Sequence, residues 1–312
     1  MTTEICRFAP TTSGRAHPGT LLAGMLAWLD AKSRKAKFIL RMEDIDPDRV
    51  HDKWRTGLLD DLEWFGLTWD EIVWQSECKK NHDAVMDILC AKGLLFSCSC
   101  TRGDLKRANI PSVAGGFVYP GTCRSKRVHD WRSCVENIRC DMSGQKIMLL
   151  DESGLDLSQD VESAMGDPVV RRRDGSFTYQ LAVVADDNAS GVTRIVRGRD
   201  IADSTATQVA LYRMLDFKLP KYRHHFLLLE PRGEKFAKFH GAVGSDVLKK
   251  YYSADELRGI LANIAGLHPD QSPVTMERLL QNFSWEKVET RDRVLSWEKG
   301  RLKLSSVFNA VQ

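Results

Sequence analysis

An α/β fold with a parallel sheet is what this chain predicts, on three observations. Residues 7–48 read as strand, glycine turn, helix, strand and acidic loop. Two short strands, residues 38–42 and the one within residues 191–200, carry charged residues, Glu43 and Arg197, at their carboxyl ends, where open α/β sheets bind ligands. The chain has 312 residues and 43% hydrophobic content, enough for one large domain or two smaller ones with substantial cores.

Taken in order, Phe8 to Pro10 close a short apolar run, and residues 11–20 are rich in Thr, Ser, Gly and Pro, so they form a turn. Leu21, Leu22, Met25, Leu26 and Leu29 then recur at helical spacing. Thr20 behind Gly19 caps this helix, or Pro18 marks its first turn. A glycine loop entering a helix presents free N–H groups and the positive end of a dipole, a ready phosphate site, with His17 placed to donate to a phosphate oxygen. Residues 38–42 form a buried strand, and Glu43, Asp44, Asp46 and Asp48 follow it. The plainest reading is a Rossmann-like βαβ unit with a solvated acidic turn.

Residues 50–65 read as a helix with Trp54, Leu58, Leu62 and Phe65 on one face, stopped by Gly66. Trp69 and Trp74 read as core, and Ser76 as the cap of a helix ending at Gly93. Cys98 and Cys100 lie on an apolar, strand-like run, with Tyr119 and Cys123 beyond Gly115 and Gly116. Two thiolates one residue apart plus a third from a later turn can surround a tetrahedral zinc, given a fourth ligand; buried, metal-free thiols are the other reading. Cys6, Cys78 and Cys90 fall among apolar positions, and Cys134 and Cys140 can pair with each other or with a metal.

Residues 130–166 are polar and mixed. Two strands around Asp174-Gly175 follow, and Arg171, Arg172 and Arg173 form a solvated edge or face phosphate. Residues 177–187 are a helix or a buried strand, and residues 191–200 a parallel strand ending at Arg197, whose fork of donors suits a carboxylate. Ser204 or Thr205 caps the next helix. Residues 226–230 and 234–237 flank Pro231-Arg232-Gly233 as a hairpin, and residues 245–312 read as mostly helical.

Net charge is +3 with a pI near 8.4, too mild to indicate nucleic acid by itself. No run of eighteen apolar residues occurs and the amino terminus lacks a signal-peptide pattern, so a cytoplasmic protein without a membrane span is expected. Eight cysteines in such a chain argue for thiols or metal over a disulfide framework.

Several strings resemble one family. Residues 7–19, RFAPTTSGRAHPG, and 41–46, RMEDID, are similar to the amino-terminal signature of class I glutamyl-tRNA synthetases, R-F-A-P-[ST]-P-[ST]-G-x-x-H-x-G and R-x-E-D-[IT]-D. Thr12 replaces the usual second proline, and Pro18 and Thr20 replace the last residues of the "HIGH" element. Residues 177–187 resemble F-x-Y-x-L-A-x-V-x-D-D, residues 191–200 resemble G-[VI]-[TS]-x-[IV]-[IV]-R-G-x-D, and Lys235 to Lys238 stand where the family carries its "KMSKS" loop, with Ala237 for the serine. C-x-C-T-R and G-G-x-x-Y-x-G-x-C-R resemble the zinc element of the short glutamyl-Q tRNA(Asp) synthetases, with an inserted segment around residues 108–114.

The resemblance implies catalytic roles for His17 and Lys238, and a glutamate site of Arg7, Ala9, Thr11, Glu43, Tyr179 and Arg197. It implies ATP contacts from His17, Gly19, Thr20, Lys235 and Lys238, with Mg²⁺ accompanying ATP, and a structural zinc on Cys98, Cys100, Tyr119 and Cys123. It implies a Rossmann-like catalytic domain in two halves, 1–93 and 167–244, an inserted zinc-containing acceptor-binding subdomain at 94–166, and a small helical region at 245–312 in place of an anticodon-binding domain. The implied reaction is activation of L-glutamate by ATP and transfer to the queuosine base of tRNA(Asp), by a monomer. The alternatives are a truncated enzyme charging tRNA(Glu) and a non-catalytic tRNA-binding paralogue; a nucleotide-binding dehydrogenase is discounted because this chain lacks G-x-G-x-x-G after its first strand.

Overall fold

The computed structural model describes residues 3–46, 51–231 and 243–304. In chain order the elements are β1 (Ile5–Phe8), α1 (Pro18–Ser33), β2 (Lys37–Met42), α2 (Asp52–Trp64), β3 (Glu71–Trp74), α3 (Lys79–Ala91), β4 (Leu95–Cys98) and α4 (Arg102–Ala108). Then come β5 (Asn137–Cys140), β6 (Lys146–Ile147), β7 (Gln159–Asp160), α5 (Val161–Ala164), β8 (Val169–Arg171), α6 (Tyr179–Ala189), β9 (Arg194–Gly198), α7 (Thr205–Met214), β10 (Lys221–His225) and β11 (Leu228–Leu229). The last are α8 (Ser245–Leu248), α9 (Ala254–Ile264), α10 (Met276–Gln281), β12 (Arg293–Glu298) and β13 (Arg301–Leu304). The chain forms two compact units: Met1–Trp74, Arg194–Arg199 and Arg223–Gln312 make the first, Gln75–Thr193 and Asp200–Tyr222 the second. No helix among the described residues is long and apolar enough to cross a membrane.

The first unit holds the Rossmann-like sheet, in the order β10-β9-β1-β2-β3, with the β9–β1, β1–β2 and β2–β3 pairs parallel. Helix α1 forms because Leu21, Leu22, Met25, Leu26 and Leu29 have an apolar sheet face to cover, and all are fully buried. Each such side chain contributes roughly 1.5–3 kcal/mol of burial. The helix lies close: a Cβ on Gly24 would sit 2.7 Å from Leu67 Cδ1 and 3.1 Å from the Phe8 ring. Its N-cap is His17, not Thr20, with Pro18 at the first helical position.

The carboxyl-terminal part of this unit is helical, as the sequence suggests, through α8, α9 and α10. Residues 293–304 depart from that expectation and form a hairpin, β12 antiparallel to β13, while β12 also pairs parallel with β11. Lys299 and Gly300 both have positive φ (49° and 79°), the turn geometry that suits a two-residue hairpin. Buried Arg258 ties this region inward, donating to the Phe65 and Val274 carbonyls.

The second unit contains the antiparallel sheet β4-β5-β8, the β6–β7 pair, and helices α3, α6 and α7. Residues 177–187 resolve as helix α6. Ser76 does not cap α3: residues 75–77 form a 3₁₀ turn, and Cys78 is the N-cap without a side-chain bond. The Asp174-Gly175 turn is present, with Arg171 bridged to Phe177. Helix α7 follows Ser204, whose side chain makes no cap bond. The second arm of the expected hairpin, residues 234–237, lies outside the described residues. All eight cysteines are free thiols; Cys6 is buried, its thiol pushed up to about 12 by burial, and Cys134 and Cys140 are not paired.

Candidate active site and metal cluster

Strand β1 sits where the strand order reverses, with β2 and β3 on one side and β9 and β10 on the other. Ligands of open α/β sheets bind outside the carboxyl ends at such a switch point. Register decides which side chains gather there. Arg7 pairs with Ile39 of β2 and Ile195 of β9, so Arg7, Arg41 and Arg197 share one sheet face. The alternate residues Cys6, Phe8, Phe38, Leu40 and Val196 join the α1 core on the other face. The three arginines are all buried, at 4%, 2% and 5% exposure. Arg197 donates Nε to His224 Nε2 at 3.0 Å, which fixes the plane of its guanidinium. Arg41 meets Glu43 Oε1 at 3.3 Å.

The ladder continues past the strands through a parallel bridge between Thr11 and Glu43. Thr12 N–H and Oγ1 both donate to the Glu43 carbonyl, at 3.2 and 3.1 Å, and Glu43 N–H donates to the Pro10 carbonyl at 3.1 Å. A proline at position 12 would lack that N–H, so this departure from the family pattern adds a tie between the two signature strings. Ala9 is half-buried and Thr11 exposed beside this bridge. Asp44 is turned to Arg55, 3.0 Å away, and Arg55 stacks 4.2 Å over Trp74, so this part of the acidic turn is paired, not solvated. Asp48 lies outside the described residues.

His17 Nδ1 accepts from Gly19 N–H at 3.1 Å and Thr20 N–H at 3.4 Å. Leu21 N–H goes to the His17 carbonyl at 3.0 Å and Pro18 has no N–H, so the expected free amides of this helix start are already engaged. With Nδ1 accepting, the proton of a neutral ring lies on Nε2, a donor. The loop before His17 rests on Asp61, a fully buried carboxylate of α2. Asp61 accepts from Arg15 Nε at 2.8 Å and Ala16 N–H at 3.0 Å, and meets Lys249 Nζ at 2.8 Å. Burial pushes the Asp61 carboxyl up, but hydrogen bonds from Arg15, Lys249, Ser245 and the Ala16 amide together hold it below the usual carboxylate range.

On the opposite side of the sheet, Asp30 of α1 accepts from Arg194 Nε (2.6 Å) and NH2 (3.1 Å) and from Trp285 Nε1 (2.6 Å). Lys235 and Lys238 lie outside the described residues. Tyr179 opens helix α6 and belongs to the second unit. In that unit Asp186, on the same helix, accepts from Gln75 Nε2 at 2.8 Å and meets His82 Nε2 at 3.0 Å.

The second unit also holds the cysteine cluster. The sulfurs of Cys98, Cys100 and Cys123 all lie within 4.8 Å of one another, and Cys100 and Cys123 are 3.6 Å apart. Two sulfurs tetrahedrally bound at zinc–sulfur distance would be about 3.8 Å apart, so the spacing fits zinc. The Tyr119 hydroxyl accepts from Cys123 N–H at 2.6 Å, and Tyr119 packs in one buried cluster with Cys98 and Cys123. Burial raises the Tyr119 hydroxyl, and burial with the neighbouring thiols pushes Cys100 up to about 11. Four donors this close cannot all ionise without a cation, which is the donor set a closed divalent site uses. Strand β4 delivers Cys98, and a Thr101–Asp104 capping box turns the chain after Cys100. Arg124, beside Cys123, is clamped by Asp167 and Glu162. Gly166 is required next to Tyr119: with φ of 72°, a Cβ there would sit 2.7 Å from Tyr119 N.

Comparison with known proteins follows the same lines. Residues 5–297 match the family described as tRNA synthetases class I (E and Q), catalytic domain. A glutamyl-Q tRNA(Asp) synthetase of Nitratidesulfovibrio vulgaris is 40% identical over 306 residues, covering 92% of this chain and 94% of its own. The chain belongs to the glutamyl-Q tRNA(Asp) synthetase family. A second relative of that name, from Symbiobacterium thermophilum, is 36% identical over 300 residues, 90% of this chain and 93% of its own. The crystal structure of a glutamate-tRNA synthetase from Elizabethkingia anophelis superposes with a TM-score of 0.76 at 22% identity, over 96% of this chain and 69% of that one, and shows the same fold.

Sequence reading did not single out Asp61, Arg15, Asp30, Arg41 or His224. Asp61 and Arg15 are 46 residues apart and Asp30 and Arg194 are 164 apart, so no local pattern announces them. Arg41 stood within the R-x-E-D string and was the one of these with a usable signal.

Proposed function

We propose that this class I synthetase-like enzyme activates L-glutamate with ATP and transfers it to the queuosine base of tRNA(Asp). The observation that carries this reading is the switch-point cluster: Arg7 and Arg197 buried on one face, with Glu43 at the neighbouring strand end. Two guanidiniums and one carboxylate are complementary to an amino acid with two carboxylates and one ammonium. Arg7 and Arg197 hold the carboxylates, Glu43 the α-ammonium, and Ala9, Thr11 and Tyr179 shape the pocket. His17 donates from Nε2 to the ATP phosphates, beside Gly19 and Thr20. Lys235 and Lys238 neutralise charge growing on the leaving pyrophosphate. Mg²⁺ enters with ATP.

In the first step a glutamate carboxylate oxygen bonds to the α-phosphorus as the bond to the β-phosphate oxygen breaks, releasing pyrophosphate. In the second, a hydroxyl of the modified base attacks the activated carbonyl, AMP departs, and the hydroxyl proton is lost to solvent. The residues mainly position and stabilise charge. Cys98, Cys100, Tyr119 and Cys123 hold a structural zinc that fixes the acceptor-binding region. The substrates place the enzyme in the cytoplasm, acting as a monomer. Glutamate-dependent ATP–pyrophosphate exchange without tRNA, with labelled glutamate entering only queuosine-containing tRNA, is the expected result. Exchange that needs tRNA, with label in tRNA lacking queuosine, would replace this reading by charging of tRNA(Glu). Absence of exchange would leave a tRNA-binding paralogue.

A further inference from the structure

Three thiolates and a phenolate around a divalent cation sum to a charge of −2. This surplus lies where Cys98 is fully buried and Tyr119 and Cys123 are nearly so. A buried net charge is costly unless a fixed opposite charge is close. Strand β5 brings one. Arg139 pairs with Phe96 across the β4–β5 ladder, so its side chain shares the face of Phe96 and Cys98. Its Nε donates to Cys98 Sγ at 3.3 Å, and its guanidinium carbon stands 4.0 Å from the centre of the Tyr119 ring. NH1 donates to the Asp167 carbonyl at 2.5 Å.

The second observation is what Arg139 lacks. It is only 8% exposed, and among the described residues it makes no ion pair with a carboxylate. The carboxylate of adjacent Asp167 is engaged by Arg124 and the Met142 amide. Two other buried arginines have carboxylate partners: Arg194 has Asp30, and Arg258 has Asp255. A buried guanidinium whose near partners are a carbonyl, a thiol sulfur and a tyrosine ring needs an anion, and the ligand shell would supply it.

We propose that Arg139 is the charge partner of the metal centre, a positioning residue that offsets the anionic ligand shell through Cys98 and the face of Tyr119. This rests on the zinc reading of the cluster. It makes the centre a five-residue unit: four donors and one cation that touches no metal. The guanidinium also orients two of the four donors, so its loss loosens Tyr119 most, since a phenol is the weakest ligand of the set.

The test uses the full chain, stripped of metal and titrated with zinc against a chromophoric chelator. Arg139→Gln keeps polarity and reach without charge, and is expected to weaken zinc binding roughly 10–100-fold. Arg139→Lys is expected to recover most of that loss. In the cobalt-substituted protein the band of metal-bound tyrosine is expected to fade in R139Q and persist in R139K. In a Tyr119→Phe background, where one anionic ligand is gone, the R139Q penalty should shrink. Unfolding midpoints of the metal-free variants separate charge effects from misfolding, and if R139Q does not fold, Arg139→Met, which keeps length without charge, is compared with R139K in the wild-type and Y119F backgrounds instead. Wild-type zinc affinity in R139Q, or equal losses in R139Q and R139K, would overturn the proposal and leave Arg139 a packing residue. A wild-type chain that takes up no zinc would instead remove the metal reading itself, before any variant is compared.

Discussion

The switch-point site and the cysteine cluster solve the same problem differently. Both gather charge in buried surroundings. Around the switch-point sheet the chain provides both signs: Arg194 against Asp30 on the α1 face, Asp61 under Arg15 and Lys249, Arg41 beside Glu43. At the cluster it gathers donors of one sign, Cys98, Cys100 and Cys123 beside Tyr119, with Arg139 against Cys98. The first set is held by pairs within the chain. The second, on the zinc reading proposed above, reaches charge balance only on binding, which would link its structure to its ligand.

The largest test of this contrast is Asp30→Ala. It takes from Arg194, which has no exposed surface, both of its bonds to Asp30, and unties Trp285. Breaking a buried pair from one side costs about 3–5 kcal/mol, to be read from urea unfolding. A loss under 1 kcal/mol would mean that the switch-point side does not depend on its internal pairs. Next, Cys100→Ser is expected to lower zinc affinity on the order of 100-fold in a chelator titration, while the metal-free protein keeps near wild-type stability. A large fall in metal-free stability would show that the cluster packs like a core and blur the contrast.

His224→Ala sharpens the contrast at the ligand itself. It removes the partner of Arg197 Nε but leaves the guanidinium, so KM for glutamate should rise about tenfold, near 1.4 kcal/mol, with a smaller change in kcat. An unchanged KM would show that Arg197 needs no orienting partner.

The smallest effect is confined to acid. Asp61 titrates below its ordinary value, near 3.9, in the folded protein, so the unfolded chain binds the proton first. Its contribution is fully present above that ordinary value and is lost as pH falls through the lowered native value. Asp61→Asn should flatten that acid limb of the stability profile. An acid limb identical in wild type and D61N would place the acid sensitivity elsewhere.

What could be read from the chain was local. The apolar spacing of Leu21 to Leu29 predicted α1, the Thr, Ser, Gly and Pro content of residues 11–20 predicted the turn, and C-x-C with Tyr119 and Cys123 picked out residues that do converge. One misreading was local too: Ser76 had the chemistry of a cap but sits in a 3₁₀ turn, while the first helix starts at Pro18, one of the two starts the sequence offered, with His17 three residues before Thr20 as its cap. The strand at Lys221–His225 was missed because its charged and aromatic residues carry no clean period. The closing hairpin was missed because Lys299-Gly300 is a weak turn signal in isolation.

By itself the sequence determined the βαβ frame and the signature strings, because each is written in spacings of a few residues, while the donor set of the cluster followed only from the family resemblance. Only tertiary structure decided that Arg7, Arg41 and Arg197 share a face, that Asp61 and Asp30 brace the loop and the helix, and that Arg139 stands against Cys98 without a carboxylate. Sheet register, and contacts between residues tens to hundreds of positions apart, settle those facts, and neither is encoded in any local window of the chain.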